Sequence, residues 1–174
     1  MLIQKGALGA IPSYAVLAED AIARVVSPLS DEAELQQRLD AAFRQLEAEQ
    51  PALAAFLSDE LIEIDAPAGQ GLAYFLFMLV FRAFRDGFGP RLPEVAGREI
   101  ERAVQRLLAD GEVRSQTCIA NSYSEDAMAI GQPALMRVIQ DELEHAPDEA
   151  GELAPIMQAL LVEILAFTHA VLPA

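Results

Sequence analysis

Residues 50–63, QPALAAFLSDELIE, and residues 132–145, QPALMRVIQDELEH, are identical at seven of fourteen positions without a gap. Unrelated segments of that length share about one residue, given ordinary residue frequencies. The offset is 82 residues. The same offset pairs EDAIARVV at 19–26 with ERAVQRLL at 101–108. The apolar runs 72–81 and 153–162 correspond after a one-residue slip, whereas 30–49 and 112–131 align poorly. Helical sequence rich in Ala, Leu and Glu aligns easily with itself. That accounts for the apolar matches but not for the shared QPAL and DEL.

Such a repeat restricts the fold. Each half is too short to surround an apolar helix by itself. Stacking the halves places Leu72–Phe81 and Leu153–Leu172 together at the centre. The expected fold is all-α: a compact bundle of about eight helices, one domain over residues 1–174. It consists of two related four-helix halves at about 13–90 and 93–172.

The local pattern is helical nearly throughout. Ser13 is read as the cap of a helix with apolar positions Leu17, Ala18, Ile22, Val25 and Val26, ended by Pro28. Ser30 starts a second helix with the stripe Leu35, Leu39, Phe43 and Leu46. Pro51 opens a third, where its missing N–H costs nothing, and Pro67 and Gly69 close it. A helix from about Gly71 to Phe88 is apolar on all sides for its first ten residues and should be central. Pro93 opens the next, and Asp110-Gly111 is its stop. Val113–Gly131 reads as one helix or as two broken near Ser122. Pro133 opens a helix to about His145, and the last runs from about Leu153 to Leu172. Neither apolar run reads as a membrane span: the first is too short and the second carries Gln158, Glu163 and His169.

Charge limits the partners. Acids outnumber bases 27 to 12, for a net charge of −15. Residues 1–81 and 115–174 each carry −8, and the arginine-rich stretch 82–114 carries +1. A chain with this field is repelled by a phosphate backbone, so no nucleic acid is expected. Arg98, Arg102 and Arg106 are four apart and read as a solvated face paired with Glu94 and Glu99. The single Cys118 excludes an internal disulfide and a Cys-rich zinc site. No secretory signal is evident, and the cytoplasm is the expected compartment.

The repeat also singles out one set of potential ligands. Glu142 and His145 form a Glu-x-x-His pair, part of the pattern in helical-bundle di-iron proteins. Glu60 and Glu63 are their counterparts, and Glu19 pairs with Glu101. Six such residues could hold two metal ions. Against this, glutamates at the edge of an apolar stripe are commonly solvated, and only one half has a His. Cys118 has no spacing to His145 or His169 that requires a nucleophile–base pair. Gly69-Gln70-Gly71 lacks the Lys-Ser/Thr of a phosphate loop. Glu163 is placed at a boundary or an interface. Tyr74, Phe75, Phe77, Met78 and Met157 could line an apolar pocket but read as plain core.

The expectation is therefore a non-catalytic interaction or regulatory module without a cofactor. Its partner is a protein, plausibly a basic one, and the chain is a homodimer. The alternative is a carboxylate-rich metal-binding bundle using the six residues above.

Overall fold

The structure is a computed structural model, and it describes residues 11–115 and 131–174. Among these residues there are seven α-helices and no strand. They are α1 (Glu19–Leu29), α2 (Leu35–Glu49), α3 (Pro51–Ile62), α4 (Pro67–Phe88), α5 (Gly97–Ser115), α6 (Pro133–Glu144) and α7 (Ala154–Ala170). Short 3-10 turns precede α1, follow α4 and precede α7. The bundle is all-helical, as the periodicity requires. An eighth helix, the question of one or two helices beyond Ser115, and Cys118 all concern residues 116–130, outside the described residues.

Several boundaries differ from the sequence expectation, each for a local reason. Ser13 lies in a 3-10 turn, and α1 begins only at Glu19, whose carboxylate and that of Asp20 sit in the first turn. Pro28 is inside the last turn of α1, not beyond it. Ser30 caps the end of α1, and its hydroxyl donates to the Val26 carbonyl at 3.1 Å. The second helix therefore starts later, at Leu35. Pro67 begins α4 rather than closing α3: it occupies the first turn, where a missing N–H is harmless. Pro93 remains in extended chain ahead of α5, and α5 continues past Asp110-Gly111 to Ser115.

Helices α4 and α7 form the centre, as their apolar composition demands. Leu76, Phe77, Met78, Leu79, Val80 and Phe81 are buried, as is nearly all of α7 from Ile156 to Thr168. Phe167 of α7 stacks between Phe81 and Phe84 of α4, with ring centroids 6.3 and 5.2 Å apart. By length and composition alone, 67–91 could cross a membrane. Here α4 is instead covered by α1, α2, α3 and α7. Helix α1 packs on α4 while α5 packs on α7. Across the middle, α1 touches α6 and α3 touches α5.

The QPAL segments hold these crossing contacts. Gln50 and Gln132 precede α3 and α6 with nearly the same backbone, φ/ψ −138°/59° and −132°/63°. Both side chains are buried. Gln50 donates through Nε2 to the Pro93 carbonyl at 3.0 Å and accepts the Val95 N–H at 2.7 Å. Gln132 donates to the Ala15 carbonyl at 2.6 Å and accepts the Leu17 N–H at 2.9 Å. Each amide therefore reads a carbonyl and the N–H two residues on, in the extended segment leading into a distant helix. These segments match at an offset of 78, with Ala18/Ala96, Ile22/Ile100, Arg24/Arg102, Val26/Val104 and Leu29/Leu107 identical. That offset differs by four residues, about one helical turn, from the 82 that separates the QPAL segments.

The other end is tied by Arg91. Its Nε donates to the Leu172 carbonyl at 2.9 Å and a terminal nitrogen to the Tyr14 carbonyl at 3.1 Å. The Leu172 N–H donates back to the Arg91 carbonyl at 2.8 Å. The guanidinium also lies 5.6 Å from the Phe88 ring centre.

Candidate functional site

The six potential metal ligands are distributed over four helices. Glu19 is exposed at the start of α1 and lies 3.4 Å from Arg137. Glu101 is exposed on α5. At an offset of 78 Glu19 pairs with Gly97, and at 82 with Glu101. Glu142 is partly buried on α6. His145 sits just past the end of α6 with its side chain 76% exposed, and its Nδ1 lies 2.7 Å from the Asp141 carbonyl. That contact, with the Asp141 carboxylate, raises its pKa. Among the described residues, no group of three or more His, Cys, Asp and Glu side chains gathers as metal ligands.

Glu60 and Glu63 lie close together at the end of α3, as Glu142 and His145 do at the end of α6. Burial raises the Glu60 pKa first, and the neighbouring Glu63 and Asp59 charges raise it further. Asp65 follows in the same segment. Ile62 lies within this run of acids and is 74% exposed, the most exposed large apolar side chain described. Asp59, Glu60, Glu63 and Asp65 flank it in sequence. Leu61, in the last turn of α3, and Ile64, just beyond the helix, turn inward and leave Ile62 outside.

A second feature has the opposite charge. Helices α1, α2 and α4 enclose a groove of about 260 Å³. Its apolar wall contains Val25, Leu29, Leu39, Ala42 and Met78. Arg24 of α1, Arg38 of α2 and Arg82 of α4 also line it, against the single carboxylate of Asp86. Arg82 donates to Gln45 Oε1 at 2.9 Å and to Asp86 at 3.2 Å. Arg38 pairs with Glu34 at 2.8 Å and Arg24 with Asp20 at 3.5 Å, each one helical turn away. Sequence spacing gave no warning of this trio, because each arginine reads as half of an exposed i,i+4 pair. The trio the spacing did pick out is solvated as expected at two of its positions: Arg98 and Arg102 both pair with Glu99, at 3.4 and 2.9 Å.

Glu163 is at neither a boundary nor an exposed face. It is fully buried in α7, and neither carboxylate oxygen has a hydrogen-bond partner among the described residues. Burial alone raises its pKa well above the usual carboxylate range. Phe77 and Met78 are packed in the core. Comparison with protein-family models, curated proteins and solved structures gives no match for this chain.

Proposed function

We propose that this protein is a non-catalytic interaction module that captures a basic, amphipathic protein segment at the end of α3. The observation that carries the reading is Ile62, 74% exposed and set among Asp59, Glu60, Glu63 and Asp65. A partner bearing an apolar residue ringed by Lys or Arg would cover Ile62 and offset the negative charge of the neighbouring carboxylates. The net charge of −15 adds long-range attraction for such a segment.

A labelled helical peptide of alternating Lys and Leu faces tests the reading by titration. Charge alone would draw this peptide to many places, so the diagnostic variant keeps the charge. Ile62→Ser is expected to weaken binding several-fold. Leu108→Ser, at another exposed apolar position on α5, is expected to leave binding unchanged. Equal effects of the two variants would overturn the assignment to α3.

The same reading includes a homodimer and an origin by duplication. Tyr14, Val16 and Leu172 are exposed at the end tied by Arg91, and they supply apolar area for a second copy. Light scattering checks this against the chain mass of 18.8 kDa: a solution mass of one chain contradicts it. Two related halves, at about 13–90 and 93–172, are supported by the matching grips of Gln50 and Gln132. Co-expressed as separate pieces, the halves are expected to co-purify. Failure of the pieces to associate would count against stacked, related halves.

A further inference from the structure

We propose that the groove between α1, α2 and α4 binds an amphiphilic carboxylate: a carboxylate head on a short hydrocarbon stem. Three features of the groove lead to this ligand. First, three guanidinium groups and one carboxylate line it, and the carboxylates that pair with Arg24 and Arg38, Asp20 and Glu34, lie outside the lining. Local charges dominate at contact distance, since fields from exposed groups fade over about 8 Å at physiological salt.

Second, the three arginines are graded in depth. Arg82 is 37% exposed, Arg38 42% and Arg24 71%. Arg82 is held from two sides by Gln45 and Asp86 and so is oriented before any ligand arrives. A guanidinium has five N–H donors. The contacts described here occupy two on Arg82 and one on Arg38, leaving donors for a planar two-oxygen head. The Arg24–Asp20 pair, at 3.5 Å and well exposed, is weak enough to exchange.

Third, the wall behind the charges is apolar. Met78 is nearly inaccessible at its base, and Leu39 and Val25 flank it. A fully hydrated anion would leave this wall wet, and a plain hydrocarbon would leave the guanidinium donors that face the groove without an acceptor. A carboxylate carrying several methylenes satisfies both. The volume of about 260 Å³ is just below the usual range for small-molecule sites, which restricts the stem to a short one.

Octanoate is the probe, with octanol, octylammonium and acetate as comparisons, followed by calorimetry on the full chain. Octanoate is expected to bind, and the three comparisons to bind at least about ten-fold more weakly. Arg24→Gln with Arg38→Gln removes two heads of the site at positions that are not buried, and is expected to weaken octanoate about ten-fold or more. Ala41→Phe, an exposed position on the rim, fills the groove without touching a charge and is expected to abolish binding. Retention of native thermal unfolding by these variants separates loss of the site from loss of the fold. Octanol binding as tightly as octanoate would overturn the charge assignment. Octanoate binding unchanged in both variants would place the molecule elsewhere and overturn the site. Absence of octanoate binding would overturn the proposal outright.

Discussion

Gln132 spans 115 residues of sequence to accept the Leu17 N–H, while Gln50 spans 45 to accept that of Val95. The two amides do the same work at opposite sides of the α4–α7 pair. Each sits before a proline-led helix and fixes the approach of a helix from the other part of the chain. Because each bond is buried, its loss exposes nothing to water and leaves backbone groups without partners.

Gln132→Ala is therefore expected to cost about 1–3 kcal/mol or more, since the Leu17 N–H and the Ala15 carbonyl both lose a buried partner. Gln50→Ala should fall in the same range through Val95 and Pro93. Urea unfolding followed by circular dichroism measures both. Gln132→Glu is expected to do no better than alanine at neutral pH: a carboxylate accepts from Leu17 but has no proton to donate to Ala15.

Glu163 makes stability depend on pH in an unusual direction. Its folded pKa is raised well above the unfolded value of 4.5, by burial. Between 4.5 and the folded pKa the native state binds more protons than the unfolded state. Stability from this group is therefore full below 4.5, falls as pH rises through that window, and levels off above it. Glu163→Leu should flatten this part of the profile. At neutral pH it should raise stability by about 1–3 kcal/mol, by removing a buried polar group without a partner among the described residues. Melting temperatures of both proteins from pH 4 to 8 check this, and a constant difference across that range would contradict it.

Gly69 and Gly71 lie two residues apart in the first turns of α4 but should respond oppositely to alanine. A Cβ on Gly69 would run into the Ala150 carbonyl, a backbone atom of the 3-10 turn before α7. The turn must shift, at a cost of about 1–3 kcal/mol. A Cβ on Gly71 meets nothing within 4 Å. Gly71→Ala should stabilise by about 0.4–1 kcal/mol through the unfolded chain. Paired denaturation curves give both signs.

Arg91→Ala should loosen both chain ends by removing the donors to Tyr14 and Leu172. Partial exposure lets water replace some of what is lost, so the cost is about 1–2 kcal/mol. Hydrogen exchange at the Leu172 amide, which is bonded to the Arg91 carbonyl, is expected to quicken in the variant, and an unchanged rate would contradict this.

Much of the bundle was readable in the letters. The stripes of α2 and α3, the all-round apolar character of α4 and α7, and the first-turn prolines of α3 and α6 are local properties. Each depends on residues within a few positions of one another. The α1 and α2 boundaries were misread because Ser13 and Ser30 are good caps in isolation. In the structure Ser30 serves the helix before it, bonding Val26. Of the functional features, the acids around Ile62 were visible, but their exposure was not. Arg24, Arg38 and Arg82 were invisible as a group, since nothing in their spacing of 14 and 44 residues marks them as neighbours.

The sequence by itself determined the helical period, the apolar core helices, the acidic balance and the repeated QPAL and DEL. These follow from residue type and spacing, which act over one or two helical turns. Only the tertiary structure decided what the QPAL glutamines grip, that Glu163 lies in the core, and that three arginines converge on one groove. Those outcomes depend on which helix faces meet. That choice is made by burial summed over the whole bundle, where contacts join residues more than a hundred positions apart.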